Sequence, residues 1–227
     1  MHANSRPVSS SQTALHPQLF NLIKRHRVAP FLKPVMPYNQ TAFNTFLERW
    51  RAAGEPALIL DAGCGVGLST LHLATHWPDH FVLGIDQSAD RIDRNTIWAG
   101  TVPTNALLLR ADLVDFWRLM ARAGITVDRH FLMYPNPWPK AAQLARRWHG
   151  HAVFPTIVAL GGVVECRSNW AVYIEEFSAA LRYMDVPDVL VETFSPVTPI
   201  TPFEKKYLAS GHALWRCRSH ASPLSAS

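Results

Sequence analysis

Acidic residues are absent from the start of the chain. No Asp or Glu precedes Glu48, whereas Arg6, Lys24, Arg25, Arg27 and Lys33 all do. An acid-free basic stretch can lie along phosphates or run as a solvated tail. It is a poor mitochondrial transit peptide, being short of arginine. Cysteine is scarce: Cys64, Cys166 and Cys217 are odd in number and widely spaced. They make neither a disulfide framework nor a zinc pattern, which suits a reducing, cytoplasmic location. No apolar run approaches bilayer-spanning length and no secretory leader opens the chain, so neither membrane insertion nor export is expected. His149, His151 and His212 have no convergent ligand spacing, and no metal is expected. No internal repeat and no second domain is visible.

What is present suits one domain. The 227 residues are 48% hydrophobic, with a net charge of +5 and a pI near 9.4, a mild pointer to a polyanionic partner. We expect a basic, partly irregular arm over residues 1–40, a domain over 41–220 and a loose tail over 221–227. Residues 1–28 read as irregular, 31–38 as extended between prolines, and 41–53 as a helix carrying Phe43, Phe46, Leu47 and Trp50 at helical spacing.

The chain is organised around Leu58-Ile59-Leu60-Asp61-Ala62-Gly63-Cys64-Gly65-Val66-Gly67-Leu68-Ser69. This is a buried strand ending in an acid, a glycine turn, then a helix over 69–76. A second apolar strand, 81–86, ends in Asp86, about twenty residues past the glycine loop, where an acid meets a ribose in nucleoside-binding βαβ units. A helix over 89–98, a strand over 106–109 followed by Asp112, a helix over 116–123 and a strand over 128–134 come next. Helical segments over 141–160, a strand over 163–166, a helix over 170–184 and strands over 189–192 and 213–217 complete the reading. The last two strands are separated by a Pro/Thr-rich loop over 196–202, with no helix between them, so an antiparallel final pair is expected. Alternating strands and helices make the fold class α/β, doubly wound and mostly parallel, with ligand-binding loops at the carboxyl edge.

The glycine spacing is Asp-x-Gly-x-Gly-x-Gly, not the Gly-x-Gly-x-x-Gly that faces a pyrophosphate. An acid before the loop repels phosphate but attracts an ammonium. S-adenosylmethionine (SAM) has an amino acid, a sulfonium and an adenosine, and no phosphate. Asp61 therefore suits its ammonium, Asp86 its ribose, and Ala111-Asp112 its adenine edge. Cys64 reads as packing.

From Tyr134-Pro135-Asn136-Pro137-Trp138-Pro139-Lys140 onward the chain resembles the tRNA (guanine-N7)-methyltransferase family, which has Pro-Asp-Pro-Trp-Pro-Lys after its fourth strand and then a basic stretch. Ala145-Arg146-Arg147-Trp148-His149 is similar to that stretch, and Cys166-Arg167-Ser168-Asn169-Trp170 stands where the family has Lys-Thr-Asp-Trp. Thr201-Pro202-Phe203-Glu204-Lys205-Lys206-Tyr207, then Gly211-His212, is similar to its closing Thr-x-Tyr/Phe-Glu motif. The resemblance covers about residues 58–217. It implies a seven-stranded, Rossmann-like SAM-dependent methyltransferase sheet and methyl transfer to guanine nitrogen 7 in tRNA or another structured RNA.

Carried across, Asp61, Gly63, Gly65, Gly67, Asp86 and Asp112 would hold the cofactor. Asn136, Ser168, Asn169, Thr201 and Glu204 would surround the guanine, and Lys140, Arg146 and Arg147 would reach the RNA. Asn136 and Asn169 replace family aspartates and Ser168 a threonine. Each amide has one neutral acceptor where a carboxylate brings a charge. The alternatives are a methyltransferase of another small-molecule or protein substrate and a non-catalytic RNA-binding paralogue. Trp138 reads either as core or as a stacking platform, and Arg146 and Arg147 either as RNA contacts or as a solvated helix face.

Overall fold

The computed structural model describes residues 5–29, 31–92 and 102–219. The expected tail over 221–227 and the second half of the helix expected over 89–98 lie outside the described residues. Seven strands form one sheet: β1 (Leu58–Ala62), β2 (Phe81–Asp86), β3 (Ala106–Arg110), β4 (Arg129–Met133), β5 (Val163–Ser168), β6 (Leu190–Phe194) and β7 (Leu214–Arg218). Their order is β3-β2-β1-β4-β5-β7-β6. The β1–β2, β1–β4 and β2–β3 pairs are parallel, while β7 runs antiparallel to both β5 and β6. The expected α/β class, the largely parallel sheet and the antiparallel last strand all hold. Every residue of β1 and β2 is buried, as strands covered on both faces require; both are largely apolar, with Asp61 next to last in β1 and Asp86 last in β2.

The chain divides into two compact units, residues 33–131 and residues 1–32 with 132–227. In the first, α2 (Pro37–Ala52) packs on α5 (Leu113–Arg122) through the rings of Phe43, Phe46 and Phe116. Pro37 opens α2 because its fixed φ suits a first turn, so the helix begins earlier than the expected 41. Asn39, fully buried, ties the two helices together. Its Nδ2 donates to Asp115 Oδ2 at 2.6 Å and its Oδ1 accepts from the Asp112 amide at 2.9 Å. The short α3 (Leu68–His76) and α4 (Ala89–Ile92) follow β1 and β2.

In the second unit, α1 (Leu19–Val28) corrects the expectation of an irregular stretch. Leu19 and Ile23, four apart, are fully buried against α6 (Phe154–Ala159) and α7 (Ala171–Tyr183), and tertiary burial makes the helix where local pattern was weak. A second correction is α8 (Pro202–Ala209), which lies between β6 and β7 where no helix was expected. Pro202 occupies its first turn and the Thr201 hydroxyl accepts from the Glu204 amide at 2.9 Å, so the proline run that read as loop is a helix start.

One buried base makes the fold acid-sensitive. His130 on β4 is fully buried, its Nε2 accepting from the Trp117 indole at 3.1 Å, and burial lowers its pKa to about 3. Between that value and the unfolded pKa near 6.5 the unfolded chain binds more protons, so stability falls as pH falls, by about 1.4 kcal/mol per unit. Denaturant unfolding at pH 7.5 and pH 5 should show a His130→Gln variant losing about 2 kcal/mol less than the native chain over that interval.

Candidate active site

The glycine loop is built from left-handed backbone. Gly63, Gly65 and Gly67 have φ of 81°, 61° and 78°, values that a side chain would strain. Gly63 and Cys64 amides both donate to the Ile85 carbonyl, at 2.8 and 3.0 Å, pinning the loop to β2. A Cβ on Gly67 would come within 2.5 Å of Leu108, so that glycine serves packing. At Gly65 nothing lies within 4 Å of the same position, and at Gly63 only Leu113 comes as near as 3.9 Å. That open space is where a ligand can lie against the backbone.

Two acids flank it. Asp61, at the end of β1, is buried, and its Oδ2 accepts from the Ser69 and Thr70 hydroxyls at 2.6 and 2.7 Å. Asp86 accepts from the Gly65 amide at 3.0 Å and the Ser88 amide at 2.9 Å, with Arg91 at 3.6 Å. A carboxylate has about four acceptor sites, so Asp86 keeps capacity for a pair of ribose hydroxyls. Asp112 caps α5, its Oδ1 accepting from the Val114 amide at 2.8 Å, and remains half-buried. These carboxylates, with the open space at Gly63 and Gly65, fit SAM. Burial and the neighbouring Asp61 and Asp86 charges push the Cys64 thiol up, so it is inert packing.

In the other unit the Tyr134–Lys140 segment leaves β4 through strained backbone, with Tyr134 at φ 55° and Trp138 at φ 44°. Asn136 is exposed, and its Oδ1 accepts from the Trp138 amide at 3.3 Å. Lys140 and Arg146 are exposed, and the Arg146 guanidinium lies 4.8 Å from the centroid of the half-buried Trp138 ring. Trp138 is thus half-buried beneath a cation rather than core.

Arg147 does not join them, contrary to expectation. It is fully buried, bonded through Nη1 to Glu176 and through its other nitrogens to the carbonyls of Trp138 and Lys140 and to Gln12. Buried arginine needs a carboxylate, and Glu176 on α7 supplies it. The same carboxylate accepts from His149 Nε2 at 3.0 Å, Gln12 Nε2 at 2.6 Å and the His16 amide at 2.9 Å. Burial alone would raise Glu176, but the His149 hydrogen bond and the Arg147 guanidinium outweigh it and hold the group at about 2.

Ser168 is buried at the end of β5, its hydroxyl accepting from the Trp170 amide at 3.1 Å. Asn169 is half-buried, with Nδ2 at 3.1 Å from His212 Nδ1. Thr201 is the cap of α8 and is buried. Glu204 is fully buried rather than presented to a base. Its Oε1 accepts from the Tyr134 hydroxyl at 3.0 Å and Arg167 Nη1 at 2.6 Å, and its Oε2 from the Ile200 amide at 2.9 Å. Arg167 also binds Glu165 at 2.6 Å. Burial would lower its pKa, but the two carboxylates raise it, so Arg167 stays charged. Sequence reading had assigned no role to Tyr134, Glu165, Arg167 or His212. The available signal was Glu165-x-Arg167, opposite charges two apart and so on one face of a strand.

A seven-stranded sheet with an acid-first glycine cradle defines a Rossmann-like methyltransferase. A model of the methyltransferase family described as "Putative methyltransferase" matches residues 55–217, and the chain belongs to that family. It is 26% identical over 196 residues to a tRNA (guanine-N(7)-)-methyltransferase of Paraburkholderia xenovorans, covering 82% of this chain and 71% of that protein. To the enzyme of the same name from Burkholderia vietnamiensis it is 28% identical over 194 residues, covering 80% and 72%. Among solved structures, a 16S rRNA (adenine(1408)-N(1))-methyltransferase from Catenulisporales acidiphilia is similar in fold, with TM-score 0.54 and 14% identity over 79% of this chain and 92% of that one. An antibiotic-related methyltransferase gives 0.53 and 16%, covering 78% and 94%.

Two outcomes test these assignments. Replacing Asp86 by Ala should weaken SAM binding by tenfold or more in calorimetry while leaving the melting temperature within a few degrees; unchanged affinity would remove Asp86 from the cradle. Glu176→Ala strands a buried guanidinium and should cost about 3–5 kcal/mol in denaturant unfolding, far more than an exposed ion pair is worth.

Proposed function

We propose that this protein is a SAM-dependent methyltransferase acting on nitrogen 7 of guanine in tRNA or another structured RNA. The observation that carries the reading is the Pro135–Lys140 segment, rigid, strained at both shoulders and cation-bearing, in a chain whose relatives over most of its length bear that enzyme name. Bound SAM supplies an electrophilic methyl group on its sulfonium. Guanine nitrogen 7 has a free lone pair, so no general base is required of the protein, and positioning supplies the rate. Asp61 orients the amino acid end of the donor and Asp86 the ribose, while Asp112 lies at the base. Asn136 and Asn169 hold the guanine edge.

Lys140 and Arg146 meet the phosphates, and Lys24 and Arg25 hold exposed positions on α1. The three free, buried thiols suit a cytoplasmic enzyme, and no helix among the described residues is long and apolar enough to cross a membrane. A small-molecule or protein acceptor is the second reading. It is favoured by one observation, that Asn136 and Asn169 leave the acceptor loops without a free carboxylate.

Incubation with methyl-labelled SAM and unfractionated bacterial tRNA decides between them. The expected product is 7-methylguanosine in the RNA digest, with transfer that weakens as salt rises. Label confined to a small-molecule extract would replace the reading by the second, and SAM binding without any transfer would make the chain a non-catalytic relative.

A further inference from the structure

An amide side chain has a donor end and an acceptor end, and which one meets a substrate depends on what the protein takes first. Asn136 and Asn169 leave adjacent positions at the sheet edge. Tyr134 and Arg167 are bonded through the Tyr134 amide at 2.8 Å, and each asparagine stands two residues beyond one of them. One amide is engaged through its oxygen and the other through its nitrogen. The Trp138 backbone N–H donates to Asn136 Oδ1, an arrangement only an oxygen can satisfy, so the NH2 of Asn136 is left for a ligand.

Asn169 is fixed by a longer chain. His212 lies with its Nε2 3.0 Å from the Ser5 carbonyl, which only accepts, so Nε2 carries the proton. In a neutral ring Nδ1 is then the acceptor, and it takes the Asn169 NH2 at 3.1 Å. The ring itself is held by stacking on Tyr207, with centroids 5.4 Å apart and planes 12° apart. Asn169 Oδ1 is left, with no partner among the described residues.

We propose that the two asparagines form a donor–acceptor pair whose polarity His212 and the Trp138 amide lock. Resting on the function proposed above, the pair selects a base by its keto–imino edge. Asn136 NH2 donates to a carbonyl oxygen such as guanine O6, and Asn169 Oδ1 accepts from the adjacent ring N–H. Adenine and cytosine present the reverse order, an amino donor beside a ring acceptor, and are refused because two donors and two acceptors would face each other. The neutral pair therefore keeps a reading of guanine without either carboxylate. His212 is a positioning residue in this scheme: it touches Asn169, not the base.

Two measurements on the full-length protein test the proposal. The nitrogen-15 spectrum of the His212 ring should show the proton on Nε2 and none on Nδ1; a proton on Nδ1 would overturn the polarity. In steady-state methylation of unfractionated bacterial tRNA, His212→Leu frees the Asn169 amide and should raise KM for RNA about five- to tenfold, with kcat within twofold and SAM affinity unchanged. His212→Asn, which offers an oxygen near the Nδ1 position, should restore KM to within about twofold of the native value. A native KM in His212→Leu, or a defect that His212→Asn does not repair, would refute the positioning role. Absence of any RNA methylation by the native protein would refute the proposed reaction, and the ring spectrum would still decide the polarity.

Discussion

A single buried carboxylate organises the unit formed by residues 1–32 and 132–227. Glu176 accepts from Arg147, His149, Gln12 and the His16 amide, and none of the charge involved reaches solvent. Burying such a group without partners would cost several kcal/mol, so its donors must arrive together or not at all. The geometry that results is specific. Arg147 also donates to Gln12 and to the Trp138 and Lys140 carbonyls, and the last two bonds fasten the proline-rich segment to α7. Gln12 and His16 fasten the stretch before α1, and Ser10 adds a bond to the Pro139 carbonyl at 2.6 Å. A left-handed Tyr134 and Trp138 persist only where the surroundings over-determine them. The Glu176 cluster is that determination on one side, and the Tyr134–Glu204–Arg167 cluster is it on the other.

How much of this was legible in the residues depends on what kind of physics wrote it. β1 and β2 were readable because burial on both faces leaves an unbroken apolar run, and the glycine turn because left-handed backbone selects glycine. Asp61 and Asp86 were readable as acids beside the glycine turn, which is where the structure has them. α1 was hidden because its stability comes from Leu19 and Ile23 docking on distant helices, which no local pattern records. α8 was hidden because prolines that usually mark loops here open a helix. Arg147 was misread for a related reason. A basic pair after a specific loop motif looks like a phosphate contact, and only the fold reveals that one member has a glutamate waiting twenty-nine residues later.

Adjacent arginines thus have opposite fates. Arg146 lies over the Trp138 ring, exposed, with its charge available, and Arg147 is sequestered beneath the same loop. Each holds the loop from a different side, the first through a cation–π contact worth a fraction of a kcal/mol to about 1 at an exposed site, the second through a desolvated network that would cost about 3–5 kcal/mol to break at one partner. The exposed member can leave the ring without stranding a buried charge. The buried one cannot.

The same accounting of donors decides which groups can read an acceptor. Glu204 looked like the natural carboxylate for a guanine, yet three donors from Tyr134, Arg167 and Ile200 occupy it and it is wholly enclosed. Releasing it would leave Arg167 with Glu165 alone and the Tyr134 hydroxyl buried without its acceptor, a cost of a few kcal/mol that one hydrogen bond to a base would not offset. Glu204 therefore belongs to the scaffold, and in the function we propose the hydrogen bonding that distinguishes one base from another falls to groups whose capacity is unspent. In these loops those are the outward halves of two amides. A neutral amide reads a base through the order of its donor and acceptor rather than through charge, so its selectivity is only as good as the bond that stops it turning over. In the pairing we propose, the partners of Asn136 and Asn169 matter to recognition as much as the asparagines themselves.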